Sequence, residues 1–202
     1  MSDFRPTLDG VLDVMSRKGH RIFHNDDQAF DLNIVGIRTH TLVPRRFDDW
    51  LTVFYRSHGR WISVAFPATT DPGLYWLGSP ANTLGTAILK EGQYRSAWKL
   101  GTHRGYRALQ QKAPVTVVRD FDKDDRLDFD SGVEEKGLFG INIHRASRFN
   151  ESLSVDKWSA GCQVLCDPLQ FNYFIALCEK GKAAFGDAFT YTLIHQRDFR
   201  DG

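Results

Sequence analysis

At 202 residues, with 42% hydrophobic and 25% charged side chains, the chain has the composition of one ordinary globular domain and enough apolar material for a sizeable core. Its formal net charge of +1 excludes a dedicated nucleic-acid binder, which needs clustered Lys and Arg in excess to meet phosphates. The three cysteines, Cys162, Cys166 and Cys178, are an odd set in one stretch and exclude a framework of paired disulfides.

The opening reads MSDFRP, with no basic segment leading into an apolar run, and no window approaches the length of a membrane span. Synthesis in the cytoplasm as a soluble protein, without membrane insertion, is the expectation. Residues 7–17 carry Leu8, Val11, Leu12 and Met15 at helical spacing, with Thr7 as N-cap and Gly19 just past the end, which predicts an amphipathic helix. Residues 1–30 are read as an N-terminal helical extension and 31–202 as the main domain. Residues 20–24 read as a short strand closed by the turn residues Asn25, Asp26 and Asp27, with His20 and His24 on the surface, too far apart in that register to chelate.

Strands are expected over 32–38 and 51–56, and Ser57, His58, Gly59 and Arg60 predict a hairpin turn into a strand over 61–66. A turn cluster at 69–73 leads into an aromatic strand at 74–77. Residues 85–94 hold another turn, and His103 sits in a loop among glycines and arginines, where it either lines a cleft or is simply solvated. Val115, Thr116, Val117 and Val118 read as a strand. Residues 120–128 place carboxylates at positions 1, 3, 5 and 9 of a loop, the spacing a hard cation such as Ca²⁺ uses. Asp125 stands where that loop wants glycine and Ser131 where it wants a bidentate Glu, so a solvated acidic turn is expected and no metal is assigned. Cys162 and Cys166 lack a second ligand pair at zinc-site spacing, and no cofactor is expected. Residues 168–180 predict an apolar helix, ended by Gly181 and burying Cys178, and residues 189–194 a last strand. The whole is mainly β with α, an α+β fold of curved antiparallel sheets forming a sandwich or partly open barrel, with one helix at the start and one after the turn described next.

The most informative stretch is residues 139–165. An alternating run, Phe139, Ile141, Ile143, ends on His144, and a tight turn, Ser159, Ala160, Gly161, ends on Cys162. A thiol of ordinary pKa ~8.5 is only roughly 3% thiolate at neutral pH, and the thiolate is the nucleophile, so a histidine brought alongside would supply a base and lower the thiol pKa. Gly161 leaves room for a substrate carbonyl, and the N–H groups of Gly161 and Cys162 can receive a developing oxyanion. Cys and His are also common separately in cores. Their occurrence with a strand, a small-residue turn and a following helix in this order favours chemistry.

In these residues the chain resembles the L,D-transpeptidases, cysteine enzymes that remodel bacterial peptidoglycan. Their signature is a histidine, a spacer in the mid-teens and Ser/Thr-x-Gly-Cys; here it is His144, the fourteen residues 145–158, and Ser159-Ala160-Gly161-Cys162. The resemblance implies that Cys162 carries the acyl group, that His144 takes its proton, that the N–H groups around Gly161 form the oxyanion hole and that Ser159 is the hydroxyl residue of the turn. It implies attack on the third residue of a stem peptide, release of D-alanine, and transfer to an amine or to water, with transpeptidase or L,D-carboxypeptidase and endopeptidase outcomes. Peptidoglycan stem peptides are the implied partner, with His103, Gln163 and Arg145 as the expected substrate contacts. Two departures are Ala160, where the family has histidine, and Gln163-Val164, where it has an aliphatic residue followed by arginine or asparagine. The absence of a leader suggests delivery by lysis, injection or a virion, as a phage lysis enzyme or a wall-damaging effector. The alternative is a non-enzymatic virion or wall-binding module that keeps the fold without the chemistry.

Overall fold

Residues 4–129 and 132–199 are described by the computed structural model; Ser131, the twelfth position of the acidic loop, lies outside them. Helix α1, Leu8–Arg17, begins where the Thr7 hydroxyl accepts the Gly10 N–H at 3.2 Å, and the left-handed Gly19 (φ 68°) follows its last turn. The strands and remaining helices are β1 (Asn33–Arg38), β2 (Asp49–Ser57), β3 (Arg60–Thr69), α2 (Leu74–Gly78), β4 (Thr86–Leu89), β5 (Gly92–His103), β6 (Tyr106–Gln111), β7 (Val115–Asp120), β8 (Glu134–Gly137), β9 (Ile143–Arg145), β10 (Gln163–Leu165), α3 (Pro168–Phe185) and β11 (Phe189–His195).

Eight strands close into a barrel in the order β1-β11-β5-β6-β9-β10-β3-β2, while β4, β7 and β8 form a separate sheet in the order β4-β7-β8. The α+β class holds. Closure replaces the sandwich or partly open barrel expected from sequence, and it leaves none of these eight strands with a free edge. The barrel is also mixed, because β1 pairs with β11, and β9 with β10, in parallel. Strand alternation then separates two packing zones. Ile34, Leu51, Val53, Trp98, Tyr191 and Leu193 point into the main core with Phe171, Phe174 and Leu177 of α3. Val35, Ile37, Phe54 and Ile194 face outward and are covered by Val11, Val14 and Met15 of α1.

Several local expectations are corrected. Residues 20–24 form no strand, because their backbone finds side-chain amides instead of a ladder: Arg21 N–H donates to Gln93 Oε1 at 2.9 Å and Phe23 N–H to Asn33 Oδ1 at 2.8 Å. Residues 74–77 are helical, since a turn of helix after Gly73 buries Leu77 against Ile88 and Leu127. The expected strand at Phe139 starts only at Ile143; before it, the N–H groups of Phe139 and Ile141 both donate to Gln111 Oε1, at 3.1 and 3.0 Å. Helix α3 runs through Gly181, whose missing side chain allows a close approach to Phe30 and Leu32, and ends at Gly186 (φ 89°). The turn at His58 (φ 49°) and Gly59 (φ 74°) joins β2 to β3 as the sequence indicates. Among the described residues no helix is long and apolar enough to cross a membrane.

Candidate active site

The parallel pairing of β9 and β10 sets the site. Gln163 lies opposite Ile143 and Val164 opposite His144, and Gln163 N–H donates to Asn142 O at 2.9 Å. Cys162, one residue before β10, therefore arrives beside Asn142, two residues from His144 and on the same face of the pleat. The sulfur of Cys162 accepts the Asn142 N–H at 3.5 Å, and its S–H donates to Gly140 O at the same distance.

His144 is buried, and its ring is held from one side. Nδ1 lies 2.8 Å from the Arg145 carbonyl and 3.3 Å from the Tyr106 hydroxyl, which itself donates to Arg145 O at 3.2 Å. A carbonyl can only accept, so Nδ1 carries the proton of the neutral ring and Nε2 keeps its lone pair as the basic nitrogen. His103, at the end of β5, stacks on His144 with ring centroids 4.2 Å apart and planes 11° apart. Its Nδ1 lies 3.2 Å from Asn142 Nδ2. Asn142 thus touches Cys162 through its backbone and His103 through its side chain. The sequence reading missed Asn142 and Tyr106. Asn142 was legible as the polar residue two before His144 in the alternating run; Tyr106 carried no such signal, because only the pairing of distant strands brings it near.

The turn before Cys162 is tied down on all sides. Ser159 Oγ donates to Cys162 O at 2.8 Å and accepts the Gly161 N–H at 3.1 Å, while Ser159 O accepts the Gly73 N–H at 2.9 Å. Gly161 adopts φ 115°, and a Cβ there would stand 2.2 Å from the Ala87 carbonyl of β4. The glycine is required by this backbone approach, not by room for a substrate carbonyl. The expected pair of oxyanion donors is also reduced, since the Gly161 N–H is spent on Ser159. The Cys162 N–H has no acceptor among the described residues and is the donor that remains.

Gln163 is buried inside the barrel, where Nε2 donates to Thr70 O at 3.2 Å and to Gly161 O at 3.4 Å, and Oε1 accepts the Tyr191 hydroxyl at 2.6 Å. Its amide braces the turn, so the expected substrate contact is replaced by a supporting one. The Arg145 guanidinium lies 4.2 Å over the Tyr106 ring and 5.9 Å from that of Phe171. Beside the turn opens a cleft of about 370 Å³, lined by Trp76, Thr86, Ala87, Arg119, Phe139 and Ala160 among others.

Electrostatics correct a further expectation. Cys162 is half-buried as a residue, and desolvation of its sulfur pushes the thiol up to about 11, opposed by the Asn142 N–H and the Arg104 charge. Burial, then the charges of His103 and Arg104, pull His144 down to about 3 against the Arg145 carbonyl. No hydrogen bond joins Cys162 to His144 among the described residues. The resting pair is a neutral thiol beside a neutral imidazole, and His144 does not lower the thiol pKa. With the thiol protonated at neutral pH, a nucleophilic role would need a base to take its proton as the sulfur attacks.

Cys166 and Cys178 are buried, Cys166 with its S–H on Glu151 Oε1 at 3.6 Å. Asp120 is buried at the end of β7, where burial lifts its carboxyl to about 6. Among the described residues no group of three or more His, Cys, Asp or Glu side chains is placed to hold a metal ion. Compared with family models, curated proteins and solved structures, the chain finds no match in any of the three.

Proposed function

We propose that the chain is a cysteine acyl-transfer enzyme of the L,D-transpeptidase type acting on peptidoglycan stem peptides. The observation that supports this most is the parallel pairing of β9 and β10, which sets Cys162 beside Asn142, two residues before His144, with His144 Nδ1 fixed on the Arg145 carbonyl at 2.8 Å so that Nε2 is the base. As the sulfur attacks the carbonyl of the third stem residue, His144 Nε2 takes the thiol proton and the oxyanion develops toward the Cys162 N–H. Collapse breaks the peptide bond; His144 returns the proton to the leaving amine of D-alanine, and the acyl group stays on sulfur as a thioester. Water or an amine then attacks that thioester, giving trimming or crosslinking, and His144 again carries the proton. His103 and Asn142 orient the pair; Ser159, Gly161 and Gln163 hold the turn.

Tetrapeptide stems ending in D-alanine, incubated with the wild-type protein and with Cys162→Ala, test the reading by mass spectrometry. D-alanine release and an acyl adduct on the wild type, both absent from Cys162→Ala and from tripeptide stems, are expected. Equal processing of tripeptides would move the chemistry to another bond. The second reading, a binding module without chemistry, is favoured by the raised thiol pKa and the occupied Gly161 N–H. It is the conclusion if no adduct forms up to pH 10 while the protein still sediments with purified peptidoglycan.

A further inference from the structure

The cleft beside the turn holds a charge that the proposed chemistry does not use. Arg119, on β7, is only 7% exposed. Nη1 donates to Gly85 O at 3.1 Å and Nε to Glu135 Oε2, while Nη2 makes no hydrogen bond among the described residues. The guanidinium packs 5.2 Å over the Phe139 ring and lines the cleft with Trp76, Ala87 and Ala160. Two of the cleft's lining residues neighbour the Cys162 turn in the chain: Ala160 is two residues before Cys162, and Phe139 precedes Gly140, whose carbonyl receives the Cys162 S–H. A buried arginine that lines a small, partly apolar cleft and has one nitrogen without a hydrogen bond among the described residues is suited to a planar anion, because a guanidinium meets a carboxylate with charge and directed hydrogen bonds together. The cleft volume of about 370 Å³ suits the end of a peptide better than a chain running through it.

We propose that the Arg119 cleft is the subsite for the free C-terminal carboxylate of the peptide that donates the acyl group. This rests on the acyl-transfer reading above. Glu135 already neutralises part of the arginine's field, so the subsite discriminates by geometry as well as by charge, and removing that carboxylate strengthens it.

The test is calorimetric binding to the Cys162→Ala protein, which holds the peptide without turning it over. The ligands are the tetrapeptide stem with a free C-terminal carboxylate and the same stem as a C-terminal carboxamide. The carboxylate form binds roughly tenfold tighter, the scale of one hydrogen-bonded charge. Adding Arg119→Met makes the two ligands equal, Arg119→Lys retains part of the preference, and Glu135→Gln enlarges it. Should Arg119→Met fail to fold, Arg119→Lys and Glu135→Gln carry the comparison. Equal affinities for both ligands in the parent protein, or a preference unchanged across the Arg119 and Glu135 variants, overturn the subsite. Failure of the two ideas is distinguishable: an Arg119-dependent preference with no acyl adduct on the wild type refutes acyl transfer and leaves the subsite, whereas an adduct without preference refutes only the subsite.

Discussion

Two buried polar centres are tied to the same turn, and burial is offset in them to different degrees. Inside the barrel, Arg38 Nε donates to Asp71 Oδ1 at 2.8 Å and Nη2 to Leu89 O at 3.0 Å, while Asp49 accepts the N–H groups of Thr39 and Thr70, each at 2.8 Å. Each charge there meets an opposite charge or several N–H donors. At the other centre, Cys162 meets one N–H and His144 a carbonyl and a hydroxyl, so nothing offsets burial strongly enough to keep either ionised. The first centre therefore sets a buried cation against acids whose carboxyls burial still lifts, Asp71 to about 7, while the second is neutral at rest. They are linked: Thr70 O accepts Gln163 Nε2, and the Gly73 N–H donates to Ser159 O.

The largest expected effect is on catalysis. Cys162→Ala and His144→Ala should lose D-alanine release to background while keeping the circular dichroism spectrum of the wild type. Retained release in Cys162→Ala would refute the assigned nucleophile.

Next is the charged centre. Arg38→Met leaves Asp71 buried without its cation and should cost about 3–5 kcal/mol by urea unfolding, much of it recovered when Asp71→Leu is added. A cost below about 1 kcal/mol would show that the centre is not held by charge.

Gly161→Ala should cost about 1–3 kcal/mol and abolish release, because its Cβ would meet the Ala87 carbonyl at 2.2 Å from a backbone at φ 115°. A stable, active Gly161→Ala protein would mean the turn yields more than its hydrogen bonds suggest.

The neutral centre makes two pH predictions. His144 has a folded pKa of about 3 against an ordinary 6.5, so its stabilising contribution is complete above pH 6.5 and is lost as pH falls through about 3. Relative to His144→Asn, the wild type should lose stability over that window by an amount on the order of a few kcal/mol. Asp120, raised to about 6, acts with the opposite sign and is common to both proteins, so the difference reports His144. Alkylation of Cys162 should have its midpoint near pH 11, far above an ordinary thiol, and His144→Ala should leave it in place. A midpoint below pH 8 that moves upward in His144→Ala would restore a preformed ion pair. The smallest effects belong to Cys166→Ala and Cys178→Ala, both expected to keep full activity.

The sequence by itself determined what depends on near neighbours. The Thr7 cap and helical stripe of α1, the His58-Gly59 hairpin and the strands it joins, and the small-residue turn Ser159-Ala160-Gly161-Cys162 all rest on residues a few positions apart, where dihedral preference and side-chain period act directly. Even locally it failed where a distant side chain competed for the backbone, as Gln111 does at Phe139 and Ile141. Only the tertiary structure decided that β9 and β10 run parallel, which brings Cys162 beside Asn142, and that closure of the barrel stacks His103 on His144 and sets Tyr106 against its Nδ1. It also decided that Ser159 takes the Gly161 N–H and that the thiol stays protonated. The reason is physical: a hydrogen-bond partner and a desolvation cost are properties of whatever the rest of the chain places around a group, and no residue carries them in its own position.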